Sequence, residues 1–165
     1  MQVRPAQEGE ERAISKLIDA AFAGAEHSGG NEAAIVRGLR ANGALALSLV
    51  VAEQDRLVGH LAFSPVTIAG RAISWFGLGP VAVLPERQRR GIGAALIAAG
   101  LGQLAADGAN GCVVLGEPGY YSRFGFSADP QLWLAGVPAE YFQALRLRGD
   151  PPRGEVRYHA AFGLA

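Results

Sequence analysis

Apolar positions recur along this chain with two different periods, and the change of period marks its elements. Downstream of Glu8, Ala13, Ile14, Leu17, Ile18, Ala21 and Phe22 return every three or four residues, the spacing of one helix face. Gly24 and the Gly29-Gly30 pair break that rhythm around a polar loop, Ala25-Glu26-His27-Ser28. Asn31 is placed to cap a second helix that carries Ile35, Val36 and Leu39 and ends at Asn42-Gly43. Ahead of both helices, Met1 to Arg4 suits a short edge strand stopped by Pro5. Leu45 to Glu53 and Arg56 to Ile68 then read as strands joined at Gln54-Asp55. Gly70-Arg71 turns the chain into a third strand, Ile73 to Leu84, and an alanine- and leucine-rich helix follows to Gly108. The wholly apolar run Cys112 to Leu115 reads as a buried strand parallel to the one before that helix, which makes a right-handed strand–helix–strand unit. Pro118 to Phe124 suggests a short helix ended by Gly125. Phe142 to Arg148 and Glu155 to Phe162 suggest two last strands, split by Gly149-Asp150-Pro151-Pro152. The expected fold class is mixed α/β: a mostly antiparallel sheet with one parallel pair near its middle and helices on both faces, in a single domain over residues 1–165.

Composition narrows the setting. A chain of 165 residues can bury roughly 70% of its unfolded surface, so no metal or disulfide staple is needed. Fifteen basic residues balance fifteen acidic ones, which argues against a nucleic-acid binder that relies on a broad basic field. The single cysteine, Cys112, excludes an internal disulfide and fits a reducing compartment. Residues 1–12 are too charged for the apolar core of a secretory signal, and the longest apolar run, Ala44 to Ala52, is far short of the roughly 20 residues a membrane span needs. A cytoplasmic protein without a membrane partner is expected.

Against that neutral background one stretch stands out: Pro85-Glu86-Arg87-Gln88-Arg89-Arg90-Gly91-Ile92-Gly93, between the third strand and its helix. Unpaired N–H groups and the aligned dipoles of a helix start favour an anion, and Arg87, Arg89 and Arg90 add charge. The stretch is neither of the common phosphate motifs. A dinucleotide fingerprint needs a third glycine where Leu96 stands, and a P-loop needs Lys followed by Ser or Thr where Ala94-Ala95 stands. Upstream, Gly77, Gly79 and Pro80 interrupt a run that otherwise reads as central strand. Proline lacks a ladder donor and glycine marks bulges, so pairing is expected to fail near Leu78 to Pro80, leaving the strand after Val81 splayed from its parallel neighbour at Val113. Such a splay presents free backbone groups to an amide-bearing ligand. Just past the parallel strand lie Tyr120 and Tyr121. With a reference pKa near 10, either is a proton donor at neutral pH, suited to protonating a leaving thiolate.

These segments together resemble the GNAT superfamily of acetyl-CoA-dependent N-acetyltransferases. Gln88-x-x-Gly91-x-Gly93 matches the superfamily's motif. Leu115-Gly116-Glu117-Pro118-Gly119-Tyr120-Tyr121-Ser122-Arg123-Phe124-Gly125-Phe126 matches a bacterial branch, as does Val58 to Val66. The resemblance implies that Val81, Ala82 and Val83 offer backbone to the pantetheine arm of acetyl-CoA. It implies that Gln88, Arg89, Arg90, Gly91, Ile92, Gly93 and Ala94 hold the pyrophosphate. It also implies that Tyr121, four residues before Gly125, is the general acid, with Tyr120 left to packing. One departure is plain: Trp75 to Leu78 carry no carboxylate where many relatives place a basic glutamate. Glu117 is the candidate substitute and His60 a second, although a helix-capping role for Glu117 and a structural role for His60 are the plainer readings. Glu26 and His27 in the polar loop are candidates to touch substrate, a solvated loop being the plainer reading.

The implied activity is direct acetyl transfer to a primary amine, borne by a small molecule or a peptide, within a ternary complex and without a metal. No residue pattern offers a covalent nucleophile or a set of metal ligands. The competing reading is a non-catalytic acyl-CoA sensor, which the missing carboxylate favours and Tyr121 disfavours. The acceptor is not written in the sequence. A homodimer is compatible with it but specified by nothing in it.

Overall fold

The computed structural model of the chain describes residues 1–25 and 29–164. It contains β1 (Val3–Pro5), α1 (Glu11–Phe22), α2 (Glu32–Ala41), β2 (Leu47–Glu53), β3 (Arg56–Ile68), β4 (Arg71–Val83), α3 (Ile92–Ala106), β5 (Gly111–Leu115), α4 (Pro118–Tyr121), β6 (Leu132–Trp133), β7 (Phe142–Arg146) and β8 (Gly154–Arg157). The strands run β1-β2-β3-β4-β5-β7 across one mixed sheet, with β8 paired to the far end of β3 and to β6. Within that path β4 and β5 are parallel and all other neighbours antiparallel.

Gln54 and Asp55 both take positive φ, the requirement of a two-residue hairpin turn, and Ala69 and Gly70 repeat it between β3 and β4. Three expectations shift. Asn31 stands at the N-cap of α2 but its side chain bonds no helix N–H; instead Glu32 Oε2 accepts from the Gly29 N–H at 3.2 Å. The last expected strand stops at Arg157, because the chain turns into a 3₁₀ segment at Ala160–Phe162. That segment is held by the Ala161 N–H donating to His159 Nδ1 at 2.9 Å. The two-residue strand β6 had no readable signal.

Helices cover both faces of the sheet. A Cβ on Gly59 would lie 2.7 Å from Ile92 and 3.1 Å from Leu96, and one on Gly100 would run into Phe63. These two glycines therefore let α3 lie directly on β3. The alternation of strand side chains sends His60 to the opposite face, beneath α1 and α2. The core on both faces of the N-terminal half joins Ile14, Leu17, Ile18 and Val36 to Leu61, Phe63, Leu96 and Ile97. A second cluster of Val66, Trp75, Val113, Phe142 and Val156 secures the β5–β8 end.

Candidate active site

The centre of the site is a defect in the sheet. On β3 one residue, Ala62, separates Leu61 from Phe63; on β4 two, Gly79 and Pro80, separate their partners Val81 and Leu78. This is a bulge, with Gly79 at φ +132°. Parallel pairing with β5 runs through Gly77↔Val113 and ends at Leu78↔Val114. Pairing thus fails after Leu78, within the stretch the sequence suggested, although Val113, expected beside the splay, is itself paired with Gly77. Beyond it, Gly79 to Val83 face a gap where β5 turns away.

On one side of Val81 the gap opens into a cavity of about 600 Å³ at the start of α3. Gly91, at φ +81°, folds the chain into the helix, whose first N–H groups have no intrahelical acceptor. Val83, Gln88, Arg89, Gly93 and Ala94 line the space with Val81 and Gly91. A Cβ on Gly93 would project into it, 3.4 Å from the Tyr120 hydroxyl. Gln88 Nε2 donates to the Val83 carbonyl at 3.2 Å and so ties the turn over the strand end.

Of the other residues expected here, Ala82 and Ile92 have buried side chains, which leaves their backbone as the part each could offer to a ligand, and Arg90 is exposed outside the lining. Arg87 turns away to pair with Glu53 at 2.7 Å, and each holds the other in its charged form. The second cation of the cavity is instead Arg123, whose guanidinium lies 5.1 Å from the Tyr120 ring centroid. Sequence reasoning left Arg123 and Tyr120 without a role here, although both sit inside the quoted Tyr-to-Phe segment.

On the other side of Val81 lies a smaller cavity of about 300 Å³, lined by Tyr121, Pro80, Leu115 and Tyr158 together with residues of α1 and α2. The two adjacent tyrosines therefore part: Tyr120 toward the helix start, Tyr121 into the second cavity. Tyr121 packs against Phe126 and over Gly116, where any Cβ would run into its ring. Burial, with smaller contributions from Tyr120 and Cys112, pushes its phenol up to about 12. Tyr158 covers Gly77, and its buried hydroxyl has no hydrogen-bond partner among the described residues. Glu32 at the start of α2 also lines this cavity, a carboxylate that nothing in the sequence marked.

The remaining candidates lie elsewhere. Glu117 is exposed at the N-cap of α4, makes no side-chain cap, and lines neither cavity. His60 is buried with Nε2 2.9 Å from Ser48 Oγ, and burial lowers its pKa to about 4. Glu26 and His27 fall outside the described residues. Burial raises the Cys112 thiol, which removes it as a nucleophile. Among the described residues no cluster of three His, Cys, Asp or Glu side chains is placed to hold a metal, and no helix is long and apolar enough to cross a membrane. A separate depression of about 910 Å³ lies beside the Arg4–Glu10 ion pair and shares no residue with the bulge.

Comparison with known proteins places this geometry. The acetyltransferase (GNAT) domain family matches residues 2–128. The uncharacterized N-acetyltransferase YhbS of Escherichia coli (strain K12) is 36% identical over 139 residues, covering 79% of this chain and 83% of that protein. Its crystal structure with CoA superposes with a TM-score of 0.90 over 98% of this chain and 91% of that one; identity over this longer alignment is 31%. A GNAT family acetyltransferase from Brucella melitensis, solved with acetyl-CoA, is 47% identical with a TM-score of 0.88, covering 98% of this chain and 97% of that one.

Proposed function

The chain belongs to the GNAT acetyltransferase family, and we propose that it transfers an acetyl group from acetyl-CoA to a primary amine by direct attack at the β4 bulge. The observation that carries this reading is that Val81, freed from β5, is the shared wall of a phosphate-type cradle and a tyrosine-lined cavity. One ligand on each side would meet at that residue.

The residues of the cradle fit CoA. Gly93 leaves open the space a side chain would fill, the N-terminal N–H groups of α3 and the positive end of its dipole suit a pyrophosphate, and Arg89 and Arg123 supply positive charge. When bound, acetyl-CoA supplies the acyl carbon and the leaving thiol: the amine nitrogen forms the new C–N bond as the C–S bond breaks, one proton leaving nitrogen and one reaching sulfur. The backbone from Val81 to Val83 orients the pantetheine arm and holds the two reactants in one cleft, which replaces a bimolecular encounter by a positioned one. Backbone N–H groups at the splay polarise the carbonyl. Tyr121 holds its proton across the neutral range and donates toward the departing sulfur. No carboxylate of β4 flanks the bulge, so the acceptor gives up its ammonium proton to water or to a group of its own cavity.

The test is turnover beside binding. Tyr121→Phe is expected to lower kcat by about 100-fold while the CoA dissociation constant stays within about twofold. Tight acetyl-CoA binding with no transfer to any amine would make the protein an acyl-CoA-binding module instead.

A further inference from the structure

Tyr121 sits on a helix of a single turn. α4 spans Pro118–Tyr121, and so short a helix makes too few hydrogen bonds to hold a side chain in place by itself. The ring is fixed from outside. Tyr120 and Phe126 meet it edge to face, with centroids 5.1 and 6.0 Å away. Along another edge it lies against the backbone of Gly116, where a Cβ would run into ring carbon Cε2, the neighbour of the hydroxyl-bearing Cζ. In such close packing a movement of Gly116 is passed to the phenol.

Gly116 is the first residue beyond β5, whose ladder with β7 ends at Leu115↔Phe142. The chain around β7 nonetheless holds Gly116 at both of its polar groups. Its N–H donates to the Tyr141 carbonyl at 2.9 Å, and its carbonyl accepts from Gln143 Nε2 at 3.1 Å. The far end of the same segment returns to β7 as well: Ser127 and Ala144 exchange N–H···O bonds at 3.1 and 2.8 Å. The segment that carries Tyr121 is thus tethered at Gly116 and at Ser127, and the Gln143 side chain supplies part of the first tether.

An amide is a costly choice at position 143. Alternation along β7 sends Phe142 and Ala144 to the cluster around Trp75 and Gln143 to the other face with Leu145. Gln143 is paired with Val114 and is 1% exposed. An apolar side chain would be buried there without the desolvation cost of an amide. What the amide adds is a donor for the Gly116 carbonyl, a backbone group just past the end of the ladder.

We infer that Gln143 is a positioning residue for acetyl transfer: by holding the Gly116 carbonyl it keeps the Tyr121 phenol at the wall shared with Pro80 and Val81. This rests on the reading of Tyr121 as the proton donor. Gln143 lines neither cavity and acts through Tyr121.

Gln143→Met keeps the side-chain length and removes the donor. Gln143→Asn keeps the amide on a stem one carbon shorter, out of reach of the carbonyl, and serves if the first variant does not fold. Each is measured alone and combined with Tyr121→Phe, by kcat with a panel of primary amines, by acetyl-CoA affinity, and by the Cζ resonance of isotopically labelled Tyr121. A misplaced proton donor is expected to lower kcat about tenfold, with the acetyl-CoA dissociation constant within about twofold and the Tyr121 resonance displaced. In the Tyr121→Phe background the same change should alter kcat by less than about twofold, because no phenol remains to be misplaced. Parental kcat in a folded variant, an unmoved Tyr121 resonance, or an equal loss in both backgrounds overturns the inference. Any of these beside a slow Tyr121→Phe leaves the acetyltransferase reading standing. A Tyr121→Phe protein as fast as the parent removes the proton-donor reading instead, and the resonance alone then decides whether Gln143 places the ring.

Discussion

Lowering the pH from 7.5 to 5 separates a structural His60 from a catalytic one. In the folded chain His60 is fully buried, bonded through Nε2 to Ser48, and its pKa is lowered to about 4 by burial, with a smaller push from Arg40. In the unfolded chain it returns to about 6.5. Between these values the unfolded state binds the extra proton and the folded state does not, so unfolding is favoured progressively as the pH falls. Each unit below 6.5 costs about 1.4 kcal/mol, which makes about 2 kcal/mol at pH 5 and about 3 kcal/mol by pH 4. Stopping at pH 5 keeps most carboxylates ionised; Glu10, held by Arg4, has its pKa lowered to about 2. Urea unfolding at the two pH values reads the difference directly. The parent protein should lose about 2 kcal/mol and a His60→Gln variant far less. Equal losses in both, or an imidazole resonance titrating at or above pH 6, would refute the argument and restore His60 as a candidate base.

Other predictions follow from the same geometry. Gly93→Glu should fold normally, because a carboxylate is favourable in the first turn of α3, yet weaken CoA binding by about 100-fold or more through bulk and like charge at the phosphates; isothermal titration beside a melting curve checks both halves. Tyr158→Phe removes a buried hydroxyl without a partner among the described residues and should raise stability by about 1 kcal/mol; destabilisation of that size would show that the hydroxyl has a partner in solution. The rate of acetyl transfer should climb with pH as the acceptor ammonium deprotonates and show no falling limb below pH ~10, since Tyr121 holds its proton to about 12. A Tyr121-dependent decline near neutrality would contradict that assignment.

What was legible in the sequence was what depends on local chemistry. Helical spacing in Ile14, Leu17 and Ile18, a turn at Gln54-Asp55, and a break in pairing where glycine and proline interrupt a strand are all read from neighbouring residues, and each appears where expected. Side-chain direction was less legible. Arg87, Arg89 and Arg90 look equivalent in a row, but the turn sends Arg87 to Glu53, a partner 34 residues earlier that no local rule could supply. Arg123 reaches the cradle only because a short helix and a 3₁₀ turn bring it there. Glu32 was hidden for the same reason: a first-turn acidic residue is the commonest of helix signals, and only the folded chain places it on the wall of a cavity with Pro80 and Tyr158.

The central claim is that two ligands meet at Val81 and exchange an acetyl group without passing it through the protein. Mixing the protein with isotopically labelled acetyl-CoA and each of a panel of primary amines, quenching at intervals and weighing every species by mass spectrometry tests it most directly. The account predicts acetylated amine and free CoA rising in equal amounts, with the protein mass unchanged throughout. Label retained on the protein, or CoA bound with no acetylated amine formed from any amine tried, would contradict it.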